Sequence, residues 1–308
     1  MDILWLIAPA GVSLAGLVHA LTPRYHESSA ERHMQRGRDR KAAWHLEAAR
    51  RVWERRRGEE SLEAASAVAS LARIRYIQGR CDEGAALLDR AARHTFSYAG
   101  KPSRRLIVAL VKLGQAVVVA ERFGEASLIG EKALGLAGRL LPAADPCLAA
   151  VEAVLGDAYS GLGTFEKAHE HYGKALEFYQ ISLGEDAPER GAVLAAVAAA
   201  MVREERWKEA REAGLEAVDI LDHSNSARLP EALGALADLH ARRGRLAEAE
   251  GLRLSICHLW ERIAGHDSIV LAKEYERRAD LLRGMERMSE AVYLSGKAEK
   301  IRRAVAGA

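Results

Sequence analysis

The sequence predicts an all-α protein, built as a solenoid of about seven helix-turn-helix repeats. Two observations support this fold class. Small residues recur every 42 positions along most of the chain, and the composition is rich in Ala and Gly, poor in Pro and only 6% aromatic. Such a composition suits closely packed helices rather than strands, which favour aromatic and β-branched residues. Self-similarity at a fixed period is typical of arrays in which each repeat stacks on its neighbours.

The clearest copy of the repeat covers residues 151–188 and predicts two antiparallel helices. In its first helix, Leu155, Gly156 and Tyr159 share one face, and Gly163 marks the turn. The apolar face of the second helix follows helical spacing and consists of Ala168, Tyr172, Ala175 and Leu176. Each helix therefore has one face to bury against its partner.

Three sets of equivalent small residues define the register of seven units, with one shorter step of 39 positions before the sixth unit. The first helices carry Ala30, Ala72, Gly114, Gly156, Ala198, Ala237 and Ala279. The second helices carry Ala42, Gly84, Ala126, Ala168, Ala210, Ala249 and Ala291. Seven residues, or about two turns, later they carry Ala49, Ala91, Ala133, Ala175, Ala217, Ile256 and Ala298.

Small residues at these points predict close helix approach, with axes near the 8 Å end of the normal range. Leu or Phe at Gly156 or Ala168 should cost on the order of 1 to 3 kcal/mol by overpacking. The residues two positions after each turn are mostly large and apolar, which predicts plugs between neighbouring repeats and a core position for Cys81.

The motifs Leu-Gly-x-x-Tyr, Gly-x-Phe and Ala-x-x-x-Tyr-x-x-Ala-Leu of residues 155–176 resemble the tetratricopeptide repeat. The linker Leu183-Gly184-Glu185-Asp186-Ala187-Pro188 is similar to that of the kinesin light chain class, and the segments 53–58 and 260–267 echo it. This resemblance covers residues 24–304 and implies a right-handed superhelical solenoid used in protein or peptide binding. The linkers at 137–146 and 221–230 depart from the pattern. The sequence also lacks the heptad segment by which kinesin light chain pairs with heavy chains, so no motor function is expected.

The resemblance also implies that the first helices line a concave groove. The residues predicted to bind a partner there are Arg73, Tyr76, Val111, Gln115, Val118, Val119, Asp157, Ala195, Ala199, Val202 and Asp238. The middle of this strip is apolar, which favours a binding surface for an amphipathic segment. The alternative is that tight packing makes these residues part of the interior.

No pattern in the sequence predicts an enzyme, a cofactor or a metal site. Cys81, Cys147 and Cys257 have no C-x-x-C spacing. His169 and His171 are two positions apart, so on a helix they point in different directions and do not share an ion. The net charge of +2 is too small to favour nucleic-acid binding.

The amino-terminal residues 3–21 contain no Asp, Glu, Lys or Arg and as a helix would extend roughly 28 Å, enough to span a bilayer core. Residues 1–22 are therefore interpreted as a transmembrane anchor, or as one apolar helix, and residues 23–308 as the solenoid. Since the Arg and Lys residues follow this segment, they predict a single-pass membrane protein whose solenoid faces the cytoplasm. A cleaved signal peptide and an apolar helix folded onto the solenoid are the alternatives.

Residues 24–57 hold eleven Lys and Arg against five acids. Four of these basic residues, Arg36, Arg38, Arg40 and Lys41, are predicted to lie near the membrane and to contact anionic lipid. The alternative is a solvated face that only directs topology. Gly11 and Ala15 form a small-xxx-small pair that would favour a homo-oligomer, although an Ala-rich segment also places such pairs by chance.

The sequence therefore predicts a membrane-anchored scaffold or assembly factor that binds a protein or peptide in the groove of its solenoid. A soluble regulatory module of the same repeats, or an exported repeat protein of an envelope assembly, is the alternative. The sequence does not identify the partner.

Overall fold

The computed structural model describes residues 22–306 except positions 37, 79, 99, 143–144 and 267. Within that part of the chain, fourteen α-helices form seven antiparallel pairs. The first helices are α1 (Pro23–Gln35), α3 (Leu62–Ile77), α5 (Arg104–Val119), α7 (Pro146–Gly161), α9 (Pro188–Arg203), α11 (Leu229–Arg242) and α13 (Ile269–Gly284). The second helices are α2 (Asp39–Arg57), α4 (Cys81–Phe96), α6 (Phe123–Leu140), α8 (Phe165–Leu183), α10 (Trp207–His223), α12 (Leu246–Ala264) and α14 (Met288–Ala306).

The pairs stack into a right-handed superhelical solenoid, which confirms the predicted fold class. Capping side chains begin three of the first helices, because Ser61, Ser103 and Asp145 each accept a hydrogen bond from a backbone N–H of the first turn. Pro146 and Pro188 occupy the first position of α7 and α9, where the missing N–H costs nothing.

The turns and linkers repeat as regularly as the helices. Within the described residues, the turn of each of the last five pairs contains one left-handed residue: Glu121, Gly163, Glu205, Gly244 and Glu286. Gly58, Gly184 and Gly265 end α2, α8 and α12 with φ of 90°, 97° and 86°. That backbone conformation is accessible almost only to glycine, so these three glycines explain why the linkers at 53–58, 183–188 and 260–267 resemble one another.

The small residues that define the register are buried along the whole described array. Ala30, Ala72, Ala198, Ala237 and Ala279 of the first helices are each 0% exposed. A Cβ atom added to Gly114 would lie 2.7 Å from Cγ1 of Val154, so this glycine permits the approach of the next first helix. The period of 42 therefore predicts the helix contacts correctly. The plug prediction is wrong for Cys81, which is exposed at the start of α4.

The hydrophobic core is continuous through the middle of the solenoid and divides towards its carboxyl-terminal end. One cluster of buried residues extends from Leu62 in α3 to Ala200 in α9. A separate cluster, from Cys257 to Ile301, fills the space between α12, α13 and α14. Arg253 and Glu274 are both 3% exposed and lie where these carboxyl-terminal helices meet.

The two ends of the solenoid contact each other. Nε of Arg38 donates a hydrogen bond to the carbonyl oxygen of Ile263 at 3.2 Å, and the guanidinium of Arg40 donates to that of Ala304 at 2.9 Å. Both carbonyls lie in the last turn of a helix, where such groups lack helical partners and the helix dipole favours cations. Burial raises the pKa of Asp39 to about 7, opposed by the positive charge of Lys273.

The predicted localisation, a single-pass membrane protein with its solenoid facing the cytoplasm, is wrong. Among the helices of the described residues, none has the length and apolar composition that a bilayer span requires. The longest contain 19 residues and carry many charges, as in the α2 sequence DRKAAWHLEAARRVWERRR. Residues 3–21, on which the prediction of an anchor or apolar helix rested, lie outside the described residues, and the domain boundary after residue 22 stays a prediction.

Candidate functional site

A cavity of about 490 Å³ lies on the first helices α7 and α9 and is called the α7–α9 cavity below. Gln115 and Val118 of α5 border it on one side, and Arg228 and Glu231 at the start of α11 border it on the other. Two buried tyrosines of α8 also line it, Tyr172 and Tyr179. Alanine is the commonest residue type in the lining: Ala150, Ala153, Ala192, Ala195, Ala196 and Ala199.

The side chain of Tyr172 accounts for an opening at this point of the solenoid. In α6 and α10 the equivalent residues are glycines, and a leucine of the next first helix fills the space: Gly130 with Leu155, and Gly214 with Leu236. Tyr172 instead packs against Gly156 of its own repeat, where an added Cβ would lie 2.4 Å from Cδ1 of the ring. Because the ring occupies this space, α7 and α9 pack against each other less extensively than α9 and α11.

Asp157 is the central polar residue of the α7–α9 cavity. Its Oδ1 accepts a hydrogen bond of 2.9 Å from the hydroxyl of Tyr172, and its Oδ2 has no partner among the described residues. Burial raises the pKa of Asp157 to about 6, although the hydrogen bond from Tyr172 opposes the shift. The positive charge of Arg228 also opposes the shift, and with a pKa of about 6 Asp157 is ionised at neutral pH.

The other charged groups of the cavity are mostly satisfied within the protein. Arg228 forms an ion pair of 2.9 Å with Glu231. Arg203 donates a hydrogen bond of 2.8 Å to the carbonyl oxygen of Ser160, and its guanidinium lies 5.1 Å from the centre of the Phe165 ring. Gln115 accepts a hydrogen bond of 3.3 Å from Arg73 through Oε1, and its amide N–H groups have no partner among the described residues.

Five residues of the predicted groove strip line this one cavity: Gln115, Val118, Asp157, Ala195 and Ala199. Ala199 is exposed and Val118 is half-buried, so both are accessible from the solvent. The structure thus brings the middle of the strip together. Its role in binding a partner remains a prediction.

The other predicted groove residues lie elsewhere. Val111 and Val202 are 7% and 3% exposed and belong to the core, as the alternative interpretation expected. Tyr76 packs on Gly84 of α4, where an added Cβ would lie 2.8 Å from its ring. Val119, at the end of α5, is 38% exposed but does not line the α7–α9 cavity.

Most residues of the cavity were missed from the sequence, and six of these have charged or phenolic side chains. Tyr172 and Tyr179 belong to a second helix, and the strip was drawn from first helices alone. The others lie near helix ends rather than at the repeated groove positions: Glu189, Arg203, Arg228 and Glu231. The shortened linker at 221–230 was one signal, because it ends at Arg228 and the start of α11, which border the cavity.

Asp238, the last residue of the predicted strip, lies in a different environment. It contacts the guanidinium of Arg253, which also donates a hydrogen bond of 2.9 Å to Glu274. Side chains of Arg253 and Glu274 are almost fully buried, whereas that of Asp238 is 56% exposed. The three residues form an ion-pair cluster that connects α11, α12 and α13, called the Arg253 cluster below.

The four basic residues predicted to lie near a membrane are found at the contact between the two ends. Arg38 and Arg40 donate their hydrogen bonds to the last turns of α12 and α14. Arg36 and Lys41 are exposed. These contacts give Arg38 and Arg40 a role within the solenoid.

The histidines considered as metal ligands point to separate partners. Nδ1 of His171 lies 2.6 Å from the buried carboxylate of Glu152, and His169 contacts Glu204. Among the described residues, no group of three His, Cys, Asp or Glu side chains is arranged to hold a metal ion.

Comparison with known proteins confirms the tetratricopeptide repeat. Residues 145–223 match the tetratricopeptide repeat family, a segment that contains α7, α8, α9 and α10. No curated protein matches the sequence as a relative. The family match thus covers α7, α8 and α9 of the cavity and leaves out the residues that α5 and the start of α11 contribute.

Solved structures share the fold over most of the chain. A Rap protein complexed with competence and sporulation factor is 14% identical with a TM-score of 0.63, covering 92% of this chain and 76% of the other. The Rap conjugation gene regulator of plasmid pLS20, in complex with the Phr* peptide, is 12% identical with a TM-score of 0.61, covering 96% and 78%. A putative kinesin light chain of P. anserina is 18% identical with a TM-score of 0.50, covering 66% and 96%.

These comparisons establish a helical solenoid of the tetratricopeptide-repeat kind and support a protein-interaction module. They give no support to the predicted membrane, anionic-lipid or homo-oligomer partners. The expectation that this chain is not an enzyme stays a prediction.

Proposed function

We propose that this tetratricopeptide-repeat chain is a regulatory interaction module that captures a peptide segment in the α7–α9 cavity. The observation that carries the proposal is the cavity itself, which has about 490 Å³ of space between first helices and a lining that combines six alanines with polar and charged side chains. Its volume lies within the range of about 300–1,000 Å³ typical of ligand sites.

The chemistry of the lining suits a peptide rather than a compact polar metabolite. Small side chains leave width for a backbone and present little polar surface of their own. The unpaired amide N–H groups of Gln115 and the free Oδ2 of Asp157 supply a donor and an acceptor at separate points of the wall. A peptide offers both kinds of partner along its length.

The comparisons favour this regulatory module over the membrane-anchored scaffold. Two proteins of similar fold are described as complexes, one of a Rap protein with competence and sporulation factor and the other of a Rap regulator with the Phr* peptide. They support peptide capture as a use to which this solenoid geometry is suited.

The test is to fill the cavity with a large side chain and to measure whether a pool of peptides still binds. We expect wild-type protein to retain members of a randomised hexapeptide pool, and Ala199→Trp to lose them because the indole occupies the cavity. Ala247→Trp, a matched change at an exposed alanine of α12, should retain the same peptides. Equal retention by wild type and Ala199→Trp, with unchanged melting temperatures, would contradict the proposal.

A further inference from the structure

The charges that line the α7–α9 cavity do not balance. Three carboxylates, Asp157, Glu189 and Glu231, face two guanidinium groups, Arg203 and Arg228. Arg228 is paired with Glu231 at 2.9 Å. Arg203 donates to the carbonyl oxygen of Ser160. Among the described residues, Asp157 and Glu189 therefore have no cation within ion-pair distance.

The equivalent aspartate two repeats later shows what the cavity lacks. Asp238 lies 81 positions after Asp157, and Arg253 lies 81 positions after Tyr172. At the later site a guanidinium contacts the aspartate, whereas at the earlier site a neutral hydroxyl takes that place. The same position of the repeat is thus paired directly with a guanidinium at Asp238, whereas at Asp157 the positive charge of Arg228 acts only from beyond ion-pair distance.

We propose that the peptide bound in the α7–α9 cavity carries a basic side chain, Arg or Lys, which pairs with the free Oδ2 of Asp157 and is flanked by small or apolar residues that lie on the alanine wall. The inference rests on the proposed function and names the chemistry of its ligand. An acidic side chain at the same point would face two unpaired carboxylates and be repelled.

A cation from the ligand would complete the site in the way that Arg253 completes the later one. Ion pairing to a half-buried carboxylate is stronger than pairing in bulk water, because solvent screening is reduced. Hydrogen bonds to charged groups contribute about 1.5–3 kcal/mol, which corresponds to roughly a 10-fold to 100-fold preference for the basic peptide.

The test uses hexapeptides that are acetylated and amidated at their ends, so that no terminal charge competes. The third residue is Arg, Lys, Gln or Glu, and the other positions are drawn from Ala, Ser, Val and Leu. Retained peptides are quantified by mass spectrometry on immobilised full-length wild type, Asp157→Asn, Asp238→Asn and Ala199→Trp. Asn at position 157 still accepts the hydrogen bond from Tyr172, so the fold is kept.

We expect at least about tenfold enrichment of Arg and Lys peptides on wild type and on Asp238→Asn, and loss of that enrichment on Asp157→Asn. Retention that depends on an open cavity but shows no preference for a basic residue, or a preference unchanged in Asp157→Asn, would overturn the inference and leave the proposed function standing. Retention no greater on wild type than on Ala199→Trp would overturn both.

Discussion

The α7–α9 cavity and the Arg253 cluster occupy the same place in two repeats. They differ in the side chain that contacts the aspartate at that place. In the cavity, Asp157 accepts a hydrogen bond from Tyr172, and α9 presents Val193. In the cluster, Asp238 contacts Arg253, and α13 presents Glu274. One tyrosine-to-arginine difference and one valine-to-glutamate difference thus separate an open site from a closed internal ion-pair cluster.

The difference also bears on stability. Apolar contacts form a continuous core through the middle repeats, whereas the Arg253 cluster lies beside the smaller carboxyl-terminal core. Buried ion pairs are costly to desolvate and are often no more stabilising than apolar residues of similar size. Removing a charged side chain from the α7–α9 cavity is therefore expected to change the free energy of unfolding little. Removing one partner from the Arg253 cluster is expected to lower it.

The largest effect is expected when the Arg253 cluster loses one partner. Glu274→Ala leaves the buried guanidinium of Arg253 with Asp238 alone, which should lower the free energy of unfolding by about 3–5 kcal/mol, measured by urea denaturation. The double variant Arg253→Tyr and Glu274→Val, which copies the residues of the cavity repeat, should be close to wild type. A double variant as unstable as Glu274→Ala would show that the two repeats are not interchangeable at these positions.

A smaller effect is expected when the packing of Tyr172 is disturbed. Gly156→Ala places a Cβ 2.4 Å from the ring, and because the ring is held between helices the cost should be on the order of 1–3 kcal/mol. Gly173→Ala is the matched control in α8, since an added Cβ meets nothing within 4 Å and a helical glycine is replaced by a better helix former. Thermal unfolding that ranks Gly173→Ala below Gly156→Ala would contradict the packing described for the cavity.

The sequence predicts the fold well because the period reports helix contacts directly. Ala30 and Ala279, at opposite ends of the array, are both fully buried as their register requires. The family match at 145–223 falls on the repeat with the clearest motifs. Paired helices follow each other directly in the chain, so the spacing of small residues is enough to predict their contacts.

The site was predicted only in part, because a first helix in a solenoid buries more than one face. Val111 and Ala199 both flank a small register residue, yet Val111 is buried and Ala199 is exposed. They occupy different positions of the repeat, because Val111 lies three residues before Gly114 and Ala199 lies one residue after Ala198. Arg253 and Glu274 are 21 positions apart, which is not the repeat period, so periodicity alone gave no sign of their pairing.

The basic segment makes contacts that the sequence does not predict, for a similar reason. Arg38 and Arg40 bind carbonyl oxygens of residues that follow them by 225 and 264 positions, and the closure of a superhelix cannot be seen in a repeat pattern. A run of cations beside an apolar segment was interpreted as membrane-proximal, whereas two of its members cap helices at the other end of the chain.

The most direct test of the charge difference between the two repeats is the pH dependence of peptide affinity. Because burial raises the pKa of Asp157 to about 6, its carboxylate is protonated in acid and ionised above that pH. The association constant of an Arg-containing hexapeptide, measured by isothermal titration, should rise by up to about tenfold per pH unit below about pH 6 and become constant above it. Asp157→Asn should abolish this dependence and Asp238→Asn should preserve it. An affinity that does not change with pH, or that changes equally in wild type and Asp157→Asn, would contradict the account.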